Sequence, residues 1–129
     1  MDVLMRFGFS IDEIKNMMDT NEEIEAVPDK SINEIITILN SIGCNNKHIE
    51  NIFYTNPFVL SRNPKELKKL IEELQKLGLI HLEIVFDSNP YLLNIGSSEI
   101  KNIIKQKEKE GLSGDQIKDY FYFSSDEIF

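Results

Sequence analysis

The chain has 129 residues, of which 41% are hydrophobic and 28% charged, with a net charge of −8 and a pI near 4.7. That is the balance of an ordinary globular chain and not of a disordered one. No apolar run approaches the roughly 18 residues of a membrane span. The Met1-Asp2-Val3 opening is neither a signal peptide nor a basic transit peptide, and a single cysteine, Cys44, allows no intrachain disulfide and anchors no zinc site. A soluble protein in a reducing, cytoplasmic setting is expected, with no metal and no cofactor. The charge is unevenly spread: residues 1–40 sum to −6, 41–82 to +2 and 83–129 to −4.

Gly8, Gly43, Gly78 and Gly111 recur at intervals of 35, 35 and 33 residues. A period of that length is the mark of stacked supersecondary units, which present surfaces more often than they carry out chemistry. Residues 1–8 read as the last turns of a helix, with Leu4 and Phe7 on its apolar positions and Gly8 closing it. The first full repeat, 9–43, opens on Ser10-x-x-Glu13, an N-terminal capping signal. It continues with Ile14, Met17 and Met18 at helical spacing and reaches a corner at Thr20-Asn21-Glu22. A second capping signal, Ser31-x-x-Glu34, precedes Ile32, Ile35, Ile36, Leu39 and Ile42, whose steps of three and one fit one face of a helix and no strand.

The second repeat, 44–78, restates this with Ile49, Ile52 and Phe53, the corner Thr55-Asn56-Pro57 and the pair Val59-Leu60. Its second helix starts at Asn63-Pro64-x-Glu66, with proline at the first helical position where its missing N–H costs nothing. The apolar face is Leu67, Leu70, Ile71, Leu74 and Leu77. The third repeat, 79–111, is two residues shorter between Gly78 and its Ser88-Asn89-Pro90 corner. The gapped register places Leu82, Val85 and Phe86 on the first helix, whereas an ungapped one would match Ile84 to Ile49 and lose the Asn-Pro. After Leu92-Leu93, Ile100, Ile103 and Ile104 keep the second-helix pattern, but Lys107 and Glu110 break it, so the last turns are expected to be solvated. Residues 112–129 begin a further first helix, signalled by Ser113-x-x-Gln116 and by Ile117, Tyr120 and Phe121.

Each unit therefore reads as helix, corner, short helical turn, second helix, glycine, the glycine taking the left-handed C-terminal conformation. The expected fold is all-α: one domain over 1–129 of about three tandem helix pairs stacked as a short solenoid. The run Tyr120, Phe121, Tyr122 and Phe123, with Phe129, is too apolar for the polar cap a solenoid end needs. It is expected either to fold back or to form a protein interface, including a homodimer.

No nucleophile, metal set or phosphate loop stands at readable spacing, so the chain reads as a binding module and not an enzyme. His48 and His81, beside Glu50 and Glu83, lack a third ligand and a nucleophile, and are assigned surface or capping roles. Asn94-Ile95-Gly96-Ser97-Ser98 reads as a helix start. Lys65, Lys69 and Lys76 share one face of the second helix of the middle repeat; Arg62 precedes it, and Lys101 and Lys105 begin a similar stripe in the next unit. Two readings stand for these six cations: a solubilising face with intrahelical ion pairs, or a ridge that contacts phosphates.

Residues 49–78, with the Asn-Pro corner, the aliphatic pair after it, the capped second helix and its terminal Leu-Gly, resemble a repeat of the mitochondrial transcription termination factor (mTERF) family. Residues 79–111 resemble a second such repeat, and 9–43 a degenerate one with Glu22 in place of the proline. The resemblance implies a curved right-handed superhelix of helix triplets. Its concave, positively charged face would bind double-stranded nucleic acid in transcription or organelle gene expression. The competing reading is an acidic protein-interaction module, either an adaptor or a nucleic-acid mimic that occupies a basic protein.

Overall fold

The structure, a computed structural model, describes residues 2–123. Eight α-helices are joined in places by three 3₁₀ turns: α1 (Asp2–Phe7), α2 (Ile11–Thr20), η1 (Glu22–Ala26), α3 (Asp29–Ser41), α4 (Asn46–Thr55), η2 (Pro57–Ser61), α5 (Pro64–Lys76), α6 (Leu82–Ser88), η3 (Pro90–Asn94), α7 (Ser97–Lys109) and α8 (Gly114–Phe123). Like elements stack on like. The helices α2, α4, α6 and α8 pack in succession, as do α1, α3, α5 and α7, with η1, η2 and η3 between them. The repeat unit is thus helix, 3₁₀ corner, helix.

The glycines close each second helix as their spacing predicts. Gly8, Gly43, Gly78 and Gly111 have φ of +125°, +100°, +101° and +90°, a region glycine enters without steric cost. At each one the following N–H turns back on the helix: Phe9 to the Leu4 carbonyl, Cys44 to Leu39, Leu79 to Leu74 and Leu112 to Lys107, at 3.0–3.3 Å.

Most helix starts follow the sequence signals. Ser10 and Glu13 form a reciprocal capping box, as do Ser113 and Gln116, and Asn63 accepts from the Lys65 N–H at 2.8 Å. His48 completes a third box by accepting from the Asn45 N–H at 3.1 Å, the capping role expected of it. One signal misleads. Ser31-x-x-Glu34 does not start α3, which begins at Asp29 behind Pro28. Pro28 is extended, and its carbonyl accepts from the N–H groups of Ser31 and Ile32, so Ser31 already lies inside the first turn.

The core follows the two apolar faces of each unit. Leu67, Leu70 and Leu74 are fully buried and Ile71 nearly so, while Leu77 at the helix end is half-buried. The third unit keeps the gapped register. Helix α6 has 7 residues where α2 and α4 have 10, Ile84 is 48% exposed where Ile49 is fully buried, and Asn89 is buried like Asn56.

One expectation at the C-terminal end is corrected. Lys107 is not solvated: its side chain is 24% exposed and its ammonium lies 4.1 Å from the centroid of the Tyr120 ring, because α8 packs onto α7 and covers the lysine stem. Glu110 is exposed, as expected. Of the two arrangements expected of the aromatic run, its described part packs back onto the preceding unit. Phe121 is fully buried with Ile117, and the Tyr122 hydroxyl accepts from the His81 N–H at 3.2 Å. Helical spacing divides the run, since α8 takes the next place in the first-helix column. Phe123 stays 80% exposed; Phe129 lies outside the described residues.

Among the described residues three polar side chains are buried: Asn21, Asn56 and Asn89, the corner asparagines of the three units. The Asn21 amide donates to the Pro57 carbonyl at 3.2 Å and to the Ser61 hydroxyl at 2.9 Å. The Asn56 amide donates to the Pro90 carbonyl and to the Asn94 side-chain carbonyl, both at 2.9 Å. A buried amide is tolerated only when its donors are met, and those of Asn21 and Asn56 are met by the 3₁₀ turn of the following unit. The corner asparagine therefore sets the register between neighbours.

Candidate functional site

Helix α5 turns Leu67, Leu70, Ile71 and Leu74 inward, which leaves Lys65, Lys69, Glu72 and Lys76 on the outward face. Lys69 lies 3.3 Å from Glu66 and Lys76 3.2 Å from Glu73, with the two lysines 61% and 71% exposed. The Lys69–Glu66 pair is exposed on both sides and holds its lysine weakly. Glu73 stands on the flank toward α7, where Lys101 also reaches it at 3.6 Å. Burial pushes the Glu73 carboxyl up, but the hydrogen bonds and charges of Lys76 and Lys101 outweigh that and hold it below its ordinary value.

The joint between α3 and α5 differs from the joint between α5 and α7 in one position. Ile38 occupies in α3 the place of Glu73 in α5, and Lys68 the place of Lys101 in α7. Lys68 thus meets an apolar, 7% exposed Ile38 instead of a carboxylate. The result is a groove of about 880 Å³ lined by Lys30, Glu34, Thr37, Ile38, Lys65 and Lys68 among others. Among the described residues no carboxylate lies within 4.0 Å of the Lys30, Lys65, Lys68 or Lys105 ammonium.

The structure therefore brings Lys65, Lys69 and Lys76 together on one face and sets Lys105 exposed on α7. Lys101 sits at the joint with Glu73, and Arg62 is turned away from the ridge. Its guanidinium donates to the Leu93 carbonyl of the next unit, while among the described residues its Nε is enclosed without a partner. Burial lowers its pKa against the raising effect of Glu66 and Glu99. Arg62 stands where the other units have Val27 and Ile95, and it acts as a tie between units. Lys30 and Lys68 were not legible as site residues. Lys68 is on the flank of its helix and Lys30 belongs to another unit, so only the packing of α3 beside α5 joins them to Lys65.

Other reactive groups are held in structural settings. Cys44 is 4% exposed, and burial, then Glu83 and Asp87, push its thiol up to about 12, far from a usable nucleophile. His81 lies 3.4 Å from Glu83. Among the described residues no three histidine, cysteine or acidic side chains are grouped to hold a metal, and no helix is long and apolar enough to cross a membrane.

A helix, a 3₁₀ corner, a second helix and a left-handed glycine, repeated with each element on its counterpart, define a tandem helical-repeat protein. A family model described as mTERF matches residues 1–124. The chain belongs to the mTERF family. Comparison with curated proteins and with solved structures found no match.

Proposed function

We propose that this chain is a non-catalytic module that binds nucleic-acid duplex in a transcription-related role, in the cytoplasm, through the lysine face of α5 and its neighbours. Family membership supports the class of partner. The observation that carries the location is the α3–α5 groove, where Lys30, Lys65 and Lys68 converge with no carboxylate of the described residues in pairing distance. Lys69 and Lys76 extend this row along the helix. Lysines on a helix face reach phosphates but have little geometry for reading bases, so binding is expected to be duplex-tolerant and weakly sequence-dependent. Glu34 and Glu72, exposed beside the row, and the net charge of −8 lower the affinity.

The test is charge reversal at two sites, Lys65→Glu with Lys68→Glu, measured by anisotropy of a labelled duplex at low salt. Both side chains are exposed, so far-UV circular dichroism and the melting temperature should stay unchanged while binding is lost. Binding that survives the double reversal would place the interface elsewhere.

A further inference from the structure

The opposite chemistry gathers on the corners of the repeat. Asp19, Tyr54 and Asp87 are equivalent positions in the last turns of α2, α4 and α6, and Glu23, Phe58 and Tyr91 are equivalent in η1, η2 and η3. All six are exposed, and the three rings are 48%, 47% and 44% open to solvent. Since α2, α4 and α6 stack in order, as do the three 3₁₀ turns, these residues form two adjoining rows that mix carboxylates and rings. Asp87 and Tyr91 line one groove of about 480 Å³ with Asn51 and Thr55 of the preceding unit, and the Asn51 amide donates to Asp87 at 3.2 Å. Glu22 and Glu25 add exposed acids at the η1 end. Arg62, a cation at these corners, is directed into the joint toward Leu93.

We infer that this acidic, aromatic corner face docks an arginine-bearing segment of a basic protein. A guanidinium is planar, stacks on an aromatic ring and pairs with a carboxylate through two parallel hydrogen bonds. Asp87 and Tyr91 offer a carboxylate and a ring in one groove of the third unit, and the rows continue with rings in the second unit and carboxylates in the first, which suits that group and not a compact ammonium. Phosphate is repelled by the same carboxylates, so nucleic acid does not fit here. The face is separate from the lysines of α5 and stands independently of the function proposed for them.

The experiment is anisotropy at near-physiological salt, where screening falls to about 8 Å, with a labelled peptide of alternating arginine and serine and its lysine counterpart of equal charge. The arginine peptide should bind more tightly than the lysine one. The variant Tyr54→Ser, Phe58→Ser, Tyr91→Ser should weaken it about tenfold, and Asp19→Asn with Asp87→Asn should weaken both peptides. Duplex binding should be unchanged by the ring substitutions, which separates this face from the lysine face. Equal binding of the two peptides, or arginine-peptide binding that ignores the rings, would overturn the inference. So would concentration-dependent self-association in sedimentation that the ring substitutions abolish, because a second copy would then be the occupant, or loss of nucleic-acid binding in the ring variant.

Discussion

Asn56 and Asn94, one unit apart, hold each other by a reciprocal pair of amide hydrogen bonds at 2.9 and 3.0 Å, with Asn56 fully buried. The second Asn56 N–H goes to the Pro90 carbonyl, so one side chain ties the corner of the middle unit to the 3₁₀ turn of the next. Asn56→Ala leaves that carbonyl and the Asn94 amide without their buried partner and should cost about 1–3 kcal/mol. Urea unfolding of both alanine variants checks this. A smaller loss for Asn56→Ala than for Asn94→Ala, whose side chain is exposed, would contradict the register role.

Gly43 and Gly111 separate two costs of the same substitution. Both have positive φ, but a Cβ at Gly43 would lie 3.0 Å from Glu83 Oε2, whereas at Gly111 it would meet nothing within 4 Å. Gly111→Ala should lose about 1–2 kcal/mol from the backbone alone, and Gly43→Ala more. The excess should shrink when Glu83→Ala is added. Thermal or urea denaturation of the four variants decides the matter.

Cys44 makes stability depend on alkaline pH. Burial and the neighbouring Glu83 and Asp87 raise its thiol from 9.0 to about 12, so folding favours the neutral form. Its contribution is complete below the ordinary thiol value and is lost as pH climbs toward the raised one. Between pH 9.0 and about 12 the stability of the native chain should therefore fall more steeply than that of Cys44→Ala. Parallel slopes would mean that the thiol is not sheltered.

Glu73 restrains two cations of the proposed interface. Glu73→Gln removes the carboxylate that Lys76 and Lys101 share and should raise duplex affinity a few-fold at low salt, while the carboxyl's depressed pKa implies a small loss of stability near neutrality. That loss should vanish as pH falls, because the protonated carboxyl no longer attracts either lysine. Unchanged affinity in a duplex titration would show that these lysines do not meet phosphate.

The capped helix starts and the left-handed glycines were legible because each depends on residues within a turn of one another, and the period because the same local pattern recurs along the chain. Ser31 misled because a competing local device, the Pro28 carbonyl, starts the helix two residues earlier. The Asn-Pro corner was visible as a pattern, yet the reason for its asparagine was not, since the partners of Asn56 lie 34 and 38 residues away. The packing of α8 onto α7 likewise hid Lys107 beneath Tyr120. Of the lysine face, Lys65, Lys69 and Lys76 followed from helical geometry. Lys30 and Lys68 required the neighbouring helix, and Arg62 proved to be a tie between units.

Salt dependence of duplex binding tests the central claim most directly. Affinity for a duplex measured at two low salt concentrations should fall with a slope of log affinity against log salt of about −4.5, the value if Lys30, Lys65, Lys68, Lys69 and Lys76 each neutralise one phosphate at roughly 0.9 each. Lys65→Glu with Lys68→Glu should abolish the binding. No detectable binding at the lower salt, or a binding indifferent to salt, would contradict a lysine–phosphate interface on α5.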